Sequence, residues 1–255
     1  MITATIVLYK NDAQSLKKTV DCFLEINEEK KLFLVDNSPT DKLKDFFIHP
    51  DIEYFFIGRN IGFGNGHNHI IHRIKDNSKY HLVLNPDVIF SPKVISNLMN
   101  VLDKDKAIMV APAIIFPNGD HQYSCRRFPT FFELMARRVS FLKGVFKKRI
   151  AKGMYLDKNL EEPFYAEYLS GCFQLYKTKC FIDVGGFDKR YFMYLEDVDI
   201  CRKINRANKH SLYYPKEKII HTFEQGSSKK AKLFFYHLIS IFRYFYKWNV
   251  QKTPN

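Results

Sequence analysis

The amino-acid sequence predicts an α/β protein, and three observations carry that expectation. Short apolar, β-branched runs alternate with segments of helical periodicity along most of the chain. Several of these runs end in polar turns rich in Asp, Asn and Gly, at the carboxyl ends of strands, where open α/β sheets bind ligands. A chain of 255 residues with 46% hydrophobic content can bury one large core or two modest ones, which excludes a disordered chain.

Residues 4–8 form the first expected strand, followed by a turn at Tyr9, Lys10, Asn11 and Asp12 that caps a helix carrying Leu16, Val20, Phe23 and Leu24. Residues 32–35 form the second strand, which ends in Asp36, Asn37, Ser38 and Pro39. A turn alone explains the last three. Asp36, directly after a buried strand, is placed to project over the sheet edge toward a ligand. Residues 53–57 form the third strand, and Gly62, Gly64 and Gly66 then alternate ahead of a helical stretch through Ile70, Ile71 and Ile74. Such glycines let a backbone approach a ligand and leave N–H groups at a helix start, where a diphosphate is favoured. A flexible loop and a dinucleotide fingerprint stay open, although G-x-G-x-G after a third strand departs from G-x-G-x-x-G after a first.

A fourth strand at residues 81–84 ends in Asn85, Pro86 and Asp87. Pro86 stops sheet pairing, and Ser91-Pro92 is the better cap for the helix at 94–102, which leaves Asp87 to protrude at the same edge as Asp36 and the glycine segment. Magnesium-like cations are commonly held by one or two carboxylates, with phosphate oxygens and water completing the shell. After a strand at 108–115 and a turn at 116–120, residues 126–152 are basic and amphipathic. Arg137, Arg138, Lys143, Lys147, Lys148, Arg149 and Lys152 interleave there with Phe131, Phe132, Leu134, Phe141 and Phe146, and no acid falls between Glu133 and Asp157. That pattern suits a membrane-surface helix or an anion-binding arm, or a solvated helix face.

Residues 168–176 read as another strand, followed by a short helix from Thr178 to the pair Gly185 and Gly186. The glycines permit a tight reversal. Phe187, Tyr191, Phe192 and Tyr194 then supply apolar walls before Glu196, Asp197 and Asp199 open a helix at 198–207. Carboxylates at a helix start are favoured by the dipole, yet crowded ones also resist full ionisation, which is how a site makes a general base. A strand near 211–214 precedes Ile219, Ile220, His221 and Thr222, which set a histidine at a strand end as a structural group or a ligand. Residues 229–248 read as a helix with His237, Ser240, Arg243, Tyr244 and Lys247 on a polar arc, expected to lie in a bilayer interface or to dock on the core.

The net charge of +13 implies an anionic partner: nucleic acid, an acidic membrane surface or a phosphorylated substrate. Cys22, Cys125, Cys172, Cys180 and Cys201 are scattered without metal-ligand spacing, which fits a reducing cytosol. No basic leader and no long apolar run is visible, so neither a signal peptide nor a membrane span is expected.

Five of these motifs together resemble family 2 glycosyltransferases, in particular the bacterial rhamnosyltransferase-like branch: VDNS at 35–38, NIGFGNGHN at 60–68, LNPD at 84–87, GGFDKRYFMYLEDVDICRK at 185–203, and the downstream His221. The resemblance covers residues 3–228 and implies a GT-A fold, a mixed, mostly parallel sheet flanked by helices, over residues 1–230, with residues 231–255 as an aromatic and basic helix. It further implies a nucleoside-diphosphate sugar donor, Mg2+ or Mn2+, and a polyprenyl-diphosphate-linked glycan acceptor met at an anionic membrane surface on the cytoplasmic side, with no nucleic acid bound. By position, Tyr9, Asp36, Asn60, Gly62, Asn68 and Asn85 match donor-binding residues, Asp87 and His221 the metal or diphosphate site, and Asp197 the catalytic base with Glu196 as the close alternative. Lys189 and Lys177 depart from the family pattern and bear on acceptor identity. A dinucleotide-dependent oxidoreductase and a basic nucleic-acid-binding module are the readings from other classes.

Overall fold

The computed structural model describes residues 1–136, 144, 146–222 and 230–250. Strand β1 (Ile2–Leu8) turns Ile2, Ala4, Ile6 and Leu8 to one face of a sheet. Helix α1 (Ala13–Leu24) starts where the Asp12 carboxylate accepts the Ser15 N–H at 2.9 Å, and it lays Leu16, Val20 and Phe23 on that face. Strand β2 (Lys30–Asp36) sends Leu32 and Leu34 to the same layer and Phe33 and Val35 to the opposite one, as the two-residue period requires. With β3 (Ile52–Phe56) and β4 (Tyr80–Leu84), these strands run parallel in the order β3-β2-β1-β4. Their carboxyl ends therefore form one edge.

The glycine segment differs from the expected loop. Residues Phe63–Asn68 form a helix, α2, and Ile71–Ile74 a second short one, α3. Gly62 precedes α2 with φ 89°, and any Cβ there would collide with the Phe192 carbonyl. A Cβ on Gly66 would stand 2.7 Å from both γ carbons of Val7, so that glycine lets a helix lie directly on β1.

Strand β5 (Val88–Ile89) leads to α4 (Pro92–Lys104), which covers the first face with Val94, Ile95, Leu98 and Leu102. Strand β6 (Met109–Ile115) is followed by β7 (Cys125–Arg126), α5 (Phe131–Ala136) and α6 (Lys147–Gly153). Much of the basic stretch expected between them, including Arg137, Arg138 and Lys143, lies outside the described residues. Residues 168–176 are not one strand. After β8 (Phe164–Ala166), β9 (Tyr168–Leu169) pairs with β7, a turn at Ser170, Gly171 and Cys172 intervenes, and β10 (Phe173–Lys177) enters the main sheet.

Strand β10 runs antiparallel between β4 and β6. Beyond β6 lies β11 (Ser211–His221), a single strand whose register shifts between Tyr214 and Lys218, where two shorter strands were expected. Among the described residues the sheet has nine strands; six point one way, and β5, β8 and β10 the other. Helix α7 (Thr178–Asp183) and helix α8 (Glu196–Arg206) cover the second face, with Phe181, Ile200 and Ile204 among its buried residues.

Helix α9 (Lys230–Phe245), extended by a wider turn at Tyr246–Val250, docks on the core, and it does so by the arc expected to be polar. Ile241 and Tyr244 are buried with Tyr191, Leu195 and Val198, and the Ser240 hydroxyl donates to the Met193 carbonyl at 2.8 Å. The reason is electrostatic. The core offers Asp188 and the fully buried Asp199, and Lys247 reaches both, at 2.8 and 2.7 Å.

Candidate active site

Two consecutive non-glycine residues, Tyr194 (φ 72°) and Leu195 (φ 65°), are left-handed immediately before α8. Each such residue costs about 1–2 kcal/mol, and the surroundings hold them there. Leu195 is buried against α9, and Met193 is tied to Ser240. Strain of this kind is sustained where a backbone path serves a site. Here it delivers Glu196 and Asp197 into the first turn of α8.

Asp197 accepts three hydrogen bonds: from the Tyr168 hydroxyl at 3.1 Å, the Gly171 N–H at 3.1 Å and the Val198 N–H at 2.9 Å. Burial raises its pKa, and these donors oppose the rise by favouring the charged form. Glu196 has no such support. Its Oε2 is buried without a hydrogen-bond partner, and burial together with the adjacent Asp197 charge lifts its pKa to about 8. The two neighbours differ in their support: three donors favour the charged form of Asp197, while burial and the neighbouring carboxylate favour the protonated form of Glu196.

Across from them stands the carboxyl end of β4. Asn85 Nδ2 lies 3.3 Å from His221 Nε2, and Asp87 Oδ1 lies 3.2 Å from the same nitrogen. Gln122 Oε1 is 2.7 Å from His221 Nδ1. An amide oxygen can only accept, so Nδ1 carries a proton toward Gln122, and Nε2 is turned toward the Asp87 carboxylate and the Asn85 amide. A carboxylate and an imidazole nitrogen 3.2 Å apart are two groups that can each ligate a cation. Among the described residues no cluster of three or more His, Cys, Asp or Glu gathers into a metal cage. Two protein ligands match the small number by which a hard cation is commonly held when phosphate oxygens and water complete its shell.

A cleft of about 400 Å³ joins the two sides, with Asn85 and His221 on one wall and Glu196, Asp197, Tyr168 and Gly171 on the other. Arg126, Arg127, Tyr194 and His237 complete its rim. Asp87 lies behind His221, lining a smaller cavity with Ser15 and Thr19. The remaining expected residues sit outside the lining of the main cleft. Asp36 is fully buried and folds back into its own turn instead of projecting over the edge, accepting the Ser38 N–H at 2.8 Å and the Tyr54 hydroxyl. Tyr9 is exposed at the same sheet edge. Asn60 accepts the Gly62 N–H at 2.9 Å. Asn68 clamps Phe187 through both its amide groups, at 2.7 and 2.9 Å, so it joins α2 to the glycine turn.

Sequence reasoning missed Tyr168, Gly171, Gln122 and His237. Gly171 carried a readable signal, since a glycine inside a strand pattern marks a close backbone approach, and a Cβ there would stand 3.1 Å from the Asp197 Cβ. Gly64 and Gly66 serve close packing inside a helix.

Comparison with known proteins places the fold and the family of the chain. The chain is 27% identical over 249 residues to rhamnosyltransferase WbbL of Escherichia coli (strain K12), spanning 94% of this chain and 91% of that one. It is 28% identical over 204 residues to the N-acetylglucosaminyl-diphospho-decaprenol L-rhamnosyltransferase of Mycobacterium tuberculosis, covering 74% of this chain and 66% of the relative. Among solved structures, GalNAc-T7 with UDP, GalNAc and Mn2+ superposes with a TM-score of 0.68 at 16% identity, over 88% of this chain and 43% of that one. The mannosyltransferase PcManGT from Pyrobaculum calidifontis, with GDP-Man and Mn2+, gives 0.63 at 14% identity, over 99% and 65%. These likenesses establish the GT-A fold. The family model for glycosyl transferase family 2 matches residues 4–185, and the chain belongs to that family, on its rhamnosyltransferase-like side.

Proposed function

We propose that this glycosyltransferase moves rhamnose, with inversion, from dTDP-rhamnose to a polyprenyl-diphosphate-linked glycan in the assembly of a bacterial surface polysaccharide. The observation that carries the reading is the half-buried, hydrogen-bonded Asp197 lining one cleft with His221 and Asn85. The sugar and the acceptor class are supported by the names of the two relatives, both rhamnosyltransferases and one of them acting on a decaprenol-linked acceptor.

An acceptor hydroxyl is a weak nucleophile. Asp197 accepts its proton as the oxygen attacks the anomeric carbon from the side opposite the leaving diphosphate, and the configuration at that carbon inverts. Tyr168 and Gly171 keep the carboxylate aimed and charged before the proton arrives. Glu196, protonated, spares the site a second negative charge. Asp87 and His221 would hold a divalent cation, Mg2+ or Mn2+, which would supply Lewis-acid stabilisation of the charge that grows on the diphosphate. Asp36 and the glycine segment shape the donor side of the sheet edge, Asp36 by bracing its turn, and Asn60 and Asn68 by fixing the backbone around Gly62. The enzyme works in the cytoplasm at the inner face of the membrane, where its positive charge favours anionic lipid.

The test is calorimetric titration of the full chain with dTDP and with UDP, each with Mn2+ and with chelator. Binding of dTDP that requires the metal and exceeds UDP binding is the expected result. Metal-dependent binding of UDP alone would overturn the donor assignment, and metal-independent binding of both would overturn the role of Asp87 and His221.

A further inference from the structure

Helix α9 has two faces with different work. Its inner face carries Ser240, Ile241 and Tyr244 into the core and brings His237 to the rim of the cleft. Its outer face carries Phe235 (62% exposed), Ile239 (44%), Phe242 (63%) and Tyr246 (61%). The spacings of four, three and four residues align these side chains in one stripe along the helix. Phe132 of α5, 68% exposed, extends the stripe sideways, since Phe131 beside it touches both Phe132 and Phe242 with ring centroids 5.9 and 6.1 Å apart. Scattered exposed apolar residues need no explanation, but a contiguous aromatic patch marks a surface that meets an apolar partner.

We propose that this stripe is the face by which the protein lies in the interface of an anionic bilayer. Charge identifies the occupant. Residues 225–255 contain no Asp or Glu, and Lys232 and Arg243 are exposed on α9 itself. Lys147, Lys148 and Arg149 are exposed on α6, whose last residue, Gly153, abuts Glu133 of α5. A basic helix with an aromatic face lies along a headgroup boundary, its rings in the acyl edge and its cations among lipid phosphates. Among the described residues no helix is long and apolar enough to cross a membrane, so the contact is one of lying on the surface. The same helix contributes His237 to the lining of the cleft, so a bilayer against the outer face stands near the site used by a lipid-linked acceptor. This last point rests on the proposed transferase reading; the stripe and its charge do not.

The experiment is flotation of the full chain with vesicles of phosphatidylglycerol and phosphatidylcholine, and with phosphatidylcholine alone, for the parent and for the double variant Phe235→Ser/Phe242→Ser. Both side chains are mostly exposed, so the variant should fold, checked by an unchanged thermal transition and unchanged nucleotide binding. The parent should float with the anionic vesicles in a salt-sensitive way, and the variant should lose partitioning by about tenfold or more. Equal flotation of parent and variant would overturn the proposal. So would a parent that elutes as a dimer and a variant that elutes as a monomer, because that result gives the stripe to a second copy. Flotation requires no sugar donor, so a failed transferase reading would appear separately, as absent nucleotide binding in the parent.

Discussion

Replacing Lys247 with methionine should destabilise the whole protein, because it removes the cation that faces a fully buried carboxylate. Lys247 Nζ lies 2.7 Å from Asp199 Oδ2 and 2.8 Å from Asp188 Oδ2. Asp188 keeps Arg190 at 2.6 Å after the change. Among the described residues Asp199 keeps two neutral hydrogen-bond donors, the Trp248 indole N–H at 2.7 Å and the Tyr191 hydroxyl at 3.3 Å, with the Lys203 and Arg190 charges nearby. Removing one partner of a buried ion pair costs about 3–5 kcal/mol, and the neutral donors hold the loss near the lower end, about 3 kcal/mol. In a chain of this size that lowers Tm by roughly 6–12 °C, at about 2–4 °C per kcal/mol. The double variant D199N/K247M removes the stranded charge as well and should recover most of the loss, ending within about 1 kcal/mol of the parent. Urea unfolding of parent, single and double variants measures both quantities. A K247M loss below about 1 kcal/mol, or a double variant no better than the single, would refute the claim that this ion pair latches α9 to the start of α8.

Two further outcomes follow from the site. Glu196 keeps its proton in the folded protein, where its pKa is raised to about 8, while the unfolded chain releases it near 4.5, so stability falls as pH rises across that interval. E196Q should flatten the slope and gain stability on the order of a few kcal/mol relative to the parent at the alkaline end; parallel slopes in urea titrations between about pH 5 and pH 8 would exclude a buried, protonated Glu196. Gln122→Ala frees the His221 ring from its tautomer and orientation, and it should weaken Mn2+-dependent dTDP binding by about 10- to 100-fold while metal-free binding stays constant. Equal affinities would detach His221 from the cation.

The residues proposed to perform chemistry were the most legible in the sequence. Asn85, Asp87, Asp197 and His221 are polar groups at element ends, where a turn needs fewer of them than are present, and the fold gathers them around one cleft and its back wall. What supports them was harder to see. Gln122 is an ordinary loop residue until β11 brings His221 beside it, 99 positions later. The polar arc of α9 looked like its wet side because amphipathic pattern reading assigns the apolar side to the interior. The interior here contains Asp188 and Asp199, which draw Lys247 and Trp248 inward and leave Phe235 and Phe242 outside. The strand expected across residues 168–176 breaks because Asp197 takes the Gly171 N–H that sheet pairing would otherwise use. Asp36 and Asn68 were read as ligand-facing, and both spend their hydrogen bonds on holding neighbouring backbone.

The most direct test of the central claim is the rate of rhamnosyl transfer by Asp197→Asn, measured beside its affinity for dTDP. Asparagine is nearly isosteric and cannot accept the acceptor's proton. Turnover should fall by about 10²- to 10⁴-fold with the dTDP affinity unchanged within about twofold. Turnover at the parent rate would contradict the assignment of Asp197 as the base, and loss of activity in E196Q alone would move that role one residue back.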